Sequence, residues 1–423
     1  MTGAHARAGV RRRPRTGLGL VATACTTALA AGLTAFALGT GSNPPASSTI
    51  AQESRADAQV RARPVETPDV DAPLGWGPWE SDLETARAYV EQLSLPEVAG
   101  QVIVARYYGD DPAVPAALVS ELYVAGVLLN DASATSADLV RVTAEGVQAA
   151  AQAGGRPWPA VVAVDHEGGR VAALRGLVTD VPAFARYGKD GDSAATRADF
   201  ERLGAELRAL GVTLDFAPVA DVVAPGADPV IGDRAASDDP AVAATAAVDA
   251  SAGLLAGGTL PTVKHFPGHG SVTGDSHVEL PELTATVPEL EARDLIPFRA
   301  AVEAQVPMVM LGHLDVTTLD PGVPATLSPA AYDLLRDDLG FEGVAVTDSM
   351  GMGAITTTVG TGEAEVRALL AGADMILMPA DTRVAHTAIV AAVESGRLPR
   401  ERLDEAAARI GALQLWWARG LPR

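Results

Sequence analysis

The chain of 423 residues contains a single cysteine, Cys25, so no disulfide can form within it. Aromatic residues are also scarce, at 4% of a composition that is 48% apolar, so Ala, Val and Leu must supply most of the core. Basic residues number 32 against 53 acidic ones, a formal charge of −21. That balance argues against nucleic acid as a partner, because binding phosphate requires a basic face. Beyond residue 40 no stretch reads as long and apolar enough to be a second membrane span.

What is present begins with an N-terminus of distinct composition. Met1–Thr16 carries five arginines and no acid, and Gly17–Gly39 is then free of charge and mostly apolar. That order is expected of a secretory signal over residues 1–40, with Ala35-Phe36-Ala37 as a small-x-small cleavage site. The apolar run approaches the length of a membrane span, so a retained N-terminal anchor is the competing expectation. Arg11-Arg12-Arg13 is a weak mark of twin-arginine export. Lipidation at Cys25 is disfavoured, because Ala22-Thr23-Ala24 lacks a large apolar residue three positions before it. Residues 41–75, rich in Pro, Ser, Ala, Asp and Arg, read as a linker, and residues 76–423 as one catalytic domain. A secreted or cell-surface monomer of a bacterial envelope, with a possible membrane tether through the N-terminal segment, is the expectation.

After Trp76 short apolar runs alternate with amphipathic patterns. Eight strands are predicted: 101–105, 125–129, 160–164, 213–218, 262–265, 308–312, 343–347 and 375–378. Helical patterns include 136–152, 194–210, 241–256, 287–304 and 362–371. Eightfold strand–helix alternation predicts an α/β fold, a (β/α)₈ TIM-type barrel, with a doubly wound open sheet as the alternative. Polar residues follow the strands: Asp165-His166-Glu167 the third, Asp221 and Arg234 the fourth, Lys264-His265 the fifth, His313 and Asp315 the sixth, Asp348 the seventh. In a barrel these positions converge on the C-terminal mouth.

Three of the seven histidines lie in Lys264-His265-Phe266-Pro267-Gly268-His269-Gly270 and Asp275-Ser276-His277, a segment whose prolines and glycines exclude a regular helix and predict a loop. Asp-x-His lets the Asp275 carboxylate hold one imidazole nitrogen of His277 and leave the other free to exchange a proton, although a surface histidine is the bland reading. Asp348 ends an apolar strand, as a nucleophile aimed into the mouth or as an N-cap of the next helix. Lys264 is a candidate for holding hydroxyls, and His265 for the same or for packing; the two would diverge on a regular strand unless a bulge intervenes. Asp165 is a candidate for gripping sugar hydroxyls, and Glu167 with Arg170 reads as a buried structural pair. A metal centre on His265, His269, Asp275 and His277 is disfavoured, because Pro267 and Gly268 break the helical spacing that zinc ligands use. No metal and no cofactor are expected.

Taken together, the lysine-to-histidine motif, Asp165-x-Glu167-Gly168-Gly169-x-Val171, Asp228-Pro229-Val230-Ile231-Gly232-Asp233-Arg234, Pro324-Ala325-Thr326-Leu327-Ser328 and Val346-Thr347-Asp348-Ser349-Met350 resemble glycoside hydrolase family 3, in its single-domain β-N-acetylglucosaminidase branch. The resemblance implies Asp348 as nucleophile, His277 as acid/base oriented by Asp275, and Asp165, Arg234, Lys264 and His265 as the residues holding the terminal sugar. It implies an exported retaining enzyme that removes terminal β-linked N-acetylglucosamine from cell-wall or chitin-type oligosaccharides or peptidoglycan fragments. A phosphorylase and a non-catalytic glycan-binding protein are the alternatives. Two departures touch the sugar-holding shell: Ala173 stands where the family usually has arginine, with Arg175 two residues on, and Ala235-Ala236-Ser237 follows Arg234 in place of Ser-Phe-Gly.

Overall fold

The computed structural model describes residues 71–224 and 230–420. The expected signal segment over 1–40, Cys25, nearly all of the expected linker and Asp228-Pro229 lie outside the described residues. All eight predicted strands are found, most of them shorter than expected. They are β1 (Ile103–Ala105), β2 (Gly126–Leu128), β3 (Val161–Val164), β4 (Leu214–Asp215), β5 (Leu260–Pro261), its continuation β6 (Val263–Phe266), β7 (Met308–Leu311), β8 (Val344–Thr347) and β9 (Ile376–Leu377). The fifth predicted strand, 262–265, corresponds to β6, and β5 precedes it across Thr262.

Every ladder among these strands is parallel. One six-stranded sheet runs β9-β1-β2-β3-β4-β5, and a three-stranded sheet runs β8-β7-β6. The two segments meet at single parallel bridges, Val219 with Lys264 and Val346 with Met375. Hydrogen bonds from Thr262 N–H to the Ala217 carbonyl (2.8 Å) and from Thr347 N–H to the Met375 carbonyl (3.0 Å) reinforce the seams. The result is a curled parallel sheet of the TIM-barrel type, in which regular pairing thins at both seams. The strands are Val- and Ala-rich and buried on both faces, as a sheet covered by helices requires.

Helix starts follow from side chains that accept the first free N–H groups. Ser136 accepts from Leu139 N–H, Asp192 from Ala195 N–H, and Asp239 from Ala241 and Val242 N–H with Pro240 at the first helical position. The pattern expected as one helix over 287–304 is two, Val287–Ala292 and Ile296–Glu303. Pro297 has no N–H to continue the first helix. The chain turns at Arg293 and Asp294, whose side chains bind Ser271, and Arg293 also donates to the Val222 carbonyl. One later helix, Pro240–Gly257, does have the length and apolarity to cross a membrane, contrary to the sequence reading. Nine of its residues are buried in the fold, and its apolar face packs on Ser193–Ala209.

At the N-terminal end of β9 the buried Asp374 carboxylate receives Arg336 at 2.6 Å, Arg402 at 2.9 Å, Arg409 at 3.2 Å and the Ala345 N–H at 3.0 Å. Arg402 and Arg409 belong to the C-terminal helix Arg400–Ala418, so one carboxylate fastens that helix to the sheet. Burial raises the Asp374 pKa, but the arginines together hold it below the ordinary value. Asp374→Ala strands three guanidinium groups and is expected to cost about 3 kcal/mol, read as a lower urea midpoint with an unchanged slope.

Candidate active site

The strand ends at the C-terminal mouth surround a cavity of about 480 Å³. Its wall contains Asp165, Arg234, Lys264, His265, Asp275, His277 and Asp348, so the structure brings together all seven residues singled out in the sequence.

One part of the wall is a charge-balanced cluster. Arg234 grips Glu167 with two hydrogen bonds, Nε at 2.7 Å and Nη2 at 2.8 Å. Lys264 Nζ lies 2.7 Å from Glu167 and 3.0 Å from Asp165. Two cations and two carboxylates cancel, which is what allows Glu167 and Lys264 to sit at 2% and 3% side-chain exposure. Burial raises the Glu167 pKa, but Lys264 and Arg234 outweigh it and bring it down to about 2. The sequence reading paired Glu167 with Arg170; that pairing is not found. Arg170 lies on the small hairpin formed by His166–Gly168 and Val171–Ala172, and it pairs with Asp233 at 3.4 Å instead. Glycines at 168 and 169, both at positive φ, turn this hairpin, and Arg170 lines the cavity from beside Asp233 while Glu167 is buried in the cluster. Arg175 donates to the Gly169 carbonyl and does not line the cavity, so it does not take the place vacated at Ala173.

Lys264 and His265 both face the cavity because β6 is irregular: Met310 pairs with Lys264 and Leu311 with Phe266, which leaves His265 as the extra residue of a bulge. The segment expected as a loop thus remains strand through Phe266, and only afterwards turns, at His269–Ser271. Asp221, fully buried after β4, accepts from His265 Nδ1 at 2.7 Å and from the His269 N–H at 2.6 Å. His265 Nε2 is left toward Arg234, 3.5 Å away. The sequence placed Asp221 at the mouth but assigned it no task; its position after a strand was the only signal.

Asp348 follows β8 and is partly accessible from the cavity. Its Oδ1 accepts the Ser349 N–H at 2.6 Å. The N-cap reading fails, since the next helix, Gly353–Thr356, is preceded by Met352. Burial raises the Asp348 pKa, yet surrounding positive charge from the histidines and Lys264, with the Ser349 N–H, lowers it to about 2. His313 Nε2–H donates to the Ser349 carbonyl (2.9 Å), and its Nδ1 shares a hydrogen bond with the Thr326 hydroxyl (2.8 Å). Burial lowers its pKa. Thr326, in the Pro324–Ser328 motif, therefore supports the residue next to Asp348.

On the remaining side, His277 Nδ1 and N–H both meet Asp275 Oδ1, at 2.8 and 2.9 Å. Burial is the largest single influence on Asp275 and opposes its ionisation, but these hydrogen bonds and the imidazole charge together overcome it and lower its pKa. Nε2 is the nitrogen left free. Ser276 hydrogen-bonds His269 Nε2 at 2.9 Å, while Gly353 and Ala354 N–H donate to the His277 and Ser276 carbonyls. A Cβ on Gly353 would lie 2.6 Å from the His277 carbonyl oxygen, so only glycine allows this approach. Among the described residues no group of three or more metal-ligating side chains has the geometry to hold an ion.

A site with a buried Asp–Lys–Glu–Arg cluster, an ionised carboxylate and an Asp–His dyad on one cavity suits acid/base and nucleophilic work on a polyhydroxylated substrate. Residues 85–413 match the family described as "Glycosyl hydrolase family 3 N terminal domain". The chain belongs to glycosyl hydrolase family 3. It is 38% identical over 316 residues to Beta-hexosaminidase LpqI of Mycobacterium tuberculosis, covering 72% of this chain and 79% of that protein. It is 36% identical over 302 residues to a Beta-hexosaminidase of Xanthomonas euvesicatoria pv. vesicatoria, covering 69% and 84%. A family 3 beta-N-acetylglucosaminidase from Paenibacillus sp. superposes with a TM-score of 0.75 at 34% identity, over 78% of this chain and 64% of that one. The chain thus spans just under two-thirds of the Paenibacillus protein. This family member is a glycosidase of the β-hexosaminidase kind, with the barrel-type fold of its relatives.

Beneath the cavity, Asp215 at the end of β4 accepts the His166 N–H at 2.9 Å through one oxygen, while the other has no partner. Burial first, then the neighbouring Asp165 and Glu167 charges, push its pKa up to about 8 despite Lys264. The unfolded carboxyl loses its proton near pH 4, so this residue's contribution to stability is full below that pH and declines as pH rises toward 8. Asp215→Asn removes the decline. The variant's melting temperature relative to the parent is expected to rise from pH 5 to pH 9; a flat difference would show that Asp215 is ionised throughout.

Proposed function

We propose that this chain is an exported, retaining exo-β-N-acetylglucosaminidase, composed of a leader over 1–40, a linker over 41–75 and the catalytic barrel. The observation that carries this reading is that Asp348 and the Asp275–His277 dyad open onto the same cavity as the Glu167-centred cluster. Asp165, Arg234, Lys264 and His265 hold the hydroxyls of the terminal sugar. Lys264 and Arg234 are fixed by Glu167 in advance, so the sugar does not have to order them.

In the first step an Asp348 oxygen forms a bond to the anomeric carbon as the glycosidic C–O bond breaks, and imidazolium His277 gives its Nε2 proton to the departing oxygen. Asp275 holds the opposite ring nitrogen and balances the imidazolium charge. In the second step neutral His277 takes a proton from water, whose oxygen replaces Asp348 at the anomeric carbon and releases the sugar. Terminal β-linked residues of cell-wall or chitin-type oligosaccharides are the substrates this reading implies.

A histidine in place of a carboxylate as acid/base leaves a second reading open, in which inorganic phosphate replaces water without meeting a like charge on its base. Sugar 1-phosphate appearing when phosphate is supplied would select it.

Asp348→Asn is expected to abolish turnover of activated and unactivated aryl β-N-acetylglucosaminides alike. His277→Ala is expected to slow substrates with poor leaving groups by roughly 100-fold or more, and nitrophenyl substrates far less in the bond-breaking step. Equal losses across leaving groups would remove His277 from the acid role.

A further inference from the structure

The proposed reaction gives no task to Asp215, which ends β4, is 0% exposed and does not line the cavity. Strand pairing fixes its place: it stands opposite Val164 of β3 and Pro261 of β5. Its Oδ1 accepts the His166 N–H at 2.9 Å, and Oδ2 has no partner among the described residues. That N–H belongs to the peptide joining Asp165 to His166, and Glu167 follows directly. Both flanking carboxylates meet the same ammonium group, Lys264 Nζ, at 3.0 and 2.7 Å. Within the hairpin segment itself, the Ala173 N–H donates to the Asp165 carbonyl at 3.1 Å and the Leu174 N–H to His166 Nδ1 at 3.2 Å. Asp215 adds a tie from the neighbouring strand.

Charge decides the form in which Asp215 can hold that peptide. Lys264 and Arg234 are already cancelled by Asp165 and Glu167. The charged groups that face Asp215 are Asp165 and Glu167 from the end of β3 and Lys264 from β6. The His166 ring carries no charge, because burial brings its pKa down to about 4. An ionised Asp215 would be a third carboxylate for the same two cations, fully desolvated and stabilised by a single N–H. The neutral acid still accepts the His166 N–H and adds no charge. Burial and the two neighbouring carboxylates raise its pKa in the same sense.

We propose that Asp215 is a positioning residue for sugar binding: as the neutral acid it holds the Asp165–His166 peptide so that Asp165 and Lys264 meet the sugar, and loss of its proton to solvent undoes that arrangement. The inference rests on the sugar-holding role proposed above for Asp165, Arg234, Lys264 and His265. The new negative charge repels Asp165, whose side chain is 33% exposed and so the freest carboxylate of the cluster, and it competes with the sugar site for Lys264. Sugar affinity therefore falls as Asp215 ionises.

The test is the inhibition constant of N-acetylglucosamine, an uncharged ligand, against a nitrophenyl β-N-acetylglucosaminide on the full chain between pH 6 and pH 9. Only the protonated fraction binds, so the parent is expected to bind about tenfold more weakly at pH 9 than at pH 6. Asp215→Asn keeps an uncharged acceptor for the His166 N–H and has no proton to lose, so its ratio between the two pH values is expected to lie near one. Titration of His277 is common to both proteins and cancels when the ratios are compared. At pH 8.5, calorimetry in buffers of different ionisation enthalpy is expected to show proton uptake on sugar binding by the parent and none by Asp215→Asn. Asp215→Leu, with no acceptor, is expected to raise KM more than it lowers kcat. Equal pH ratios in the parent and a folded Asp215→Asn overturn the inference and leave the glycosidase reading intact. Should that variant fail to fold, a parental constant unchanged from pH 6 to pH 9 overturns it equally. A parent that does not bind N-acetylglucosamine at pH 6 overturns the sugar-holding assignment and this inference together, while cleavage of the nitrophenyl substrate decides the glycosidase reading separately.

Discussion

A carboxylate removed from water stays ionised only when fixed positive charge surrounds it, and Glu167 meets that condition twice over. Arg234 and Lys264 neutralise it, and Asp165 balances the remaining cation. The desolvation cost of four charged groups is offset by their mutual attraction and by near-ideal hydrogen-bond lengths. Three different strand ends, after β3, after β4 and on β6, must be in register for the cluster to close. The cluster is therefore a constraint on the fold as well as a feature of the site, and removing any one member leaves the others as uncompensated buried charge.

Around that cluster the other polar groups are arranged in tiers. Asp221 holds His265 and the backbone of His269; His269 meets Ser276; Thr326 orients His313, which holds the Ser349 carbonyl beside Asp348. Each chain of contacts ends on a residue that lines the cavity. A groove of about 670 Å³ at the opposite ends of the strands has no such convergence. Its Trp158 is buried, and its Arg208 lies over the Trp417 ring, so its aromatic surface is already used in packing.

The strands are readable in the sequence because each is a short β-branched or Ala-rich run bounded by turn residues, and a sheet covered on both faces needs no polar alternation. The 287–304 pattern shows the limit of periodicity. Apolar spacing continues across Arg293 and Asp294, and only the tertiary partners Ser271 and Val222 show why the helix breaks there. The residues lining the cavity were legible for a similar reason: polar side chains directly after apolar strands converge once the sheet curls. Their partners were less so. Glu167 sits three positions from Arg170 but pairs with Arg234, 67 positions away, because a two-glycine turn lies between the first two. Arg106, Met352 and Met378, which also line the cavity, carried no motif at all; Met378 even holds a φ of +44°, a backbone state that sequence pattern does not announce.

The hydrogen bonds from Gly353 and Ala354 to the loop bearing His277 join two stretches of chain that are distant in sequence. The segment carrying the proposed proton donor is clamped to the segment that leaves the proposed nucleophile, in addition to its tie through Ser276 and His269 to Asp221. The same two N–H groups join both stretches, so a side chain added at Gly353 would press on the carbonyl of His277 and disturb the proposed proton donor from the segment that follows the proposed nucleophile.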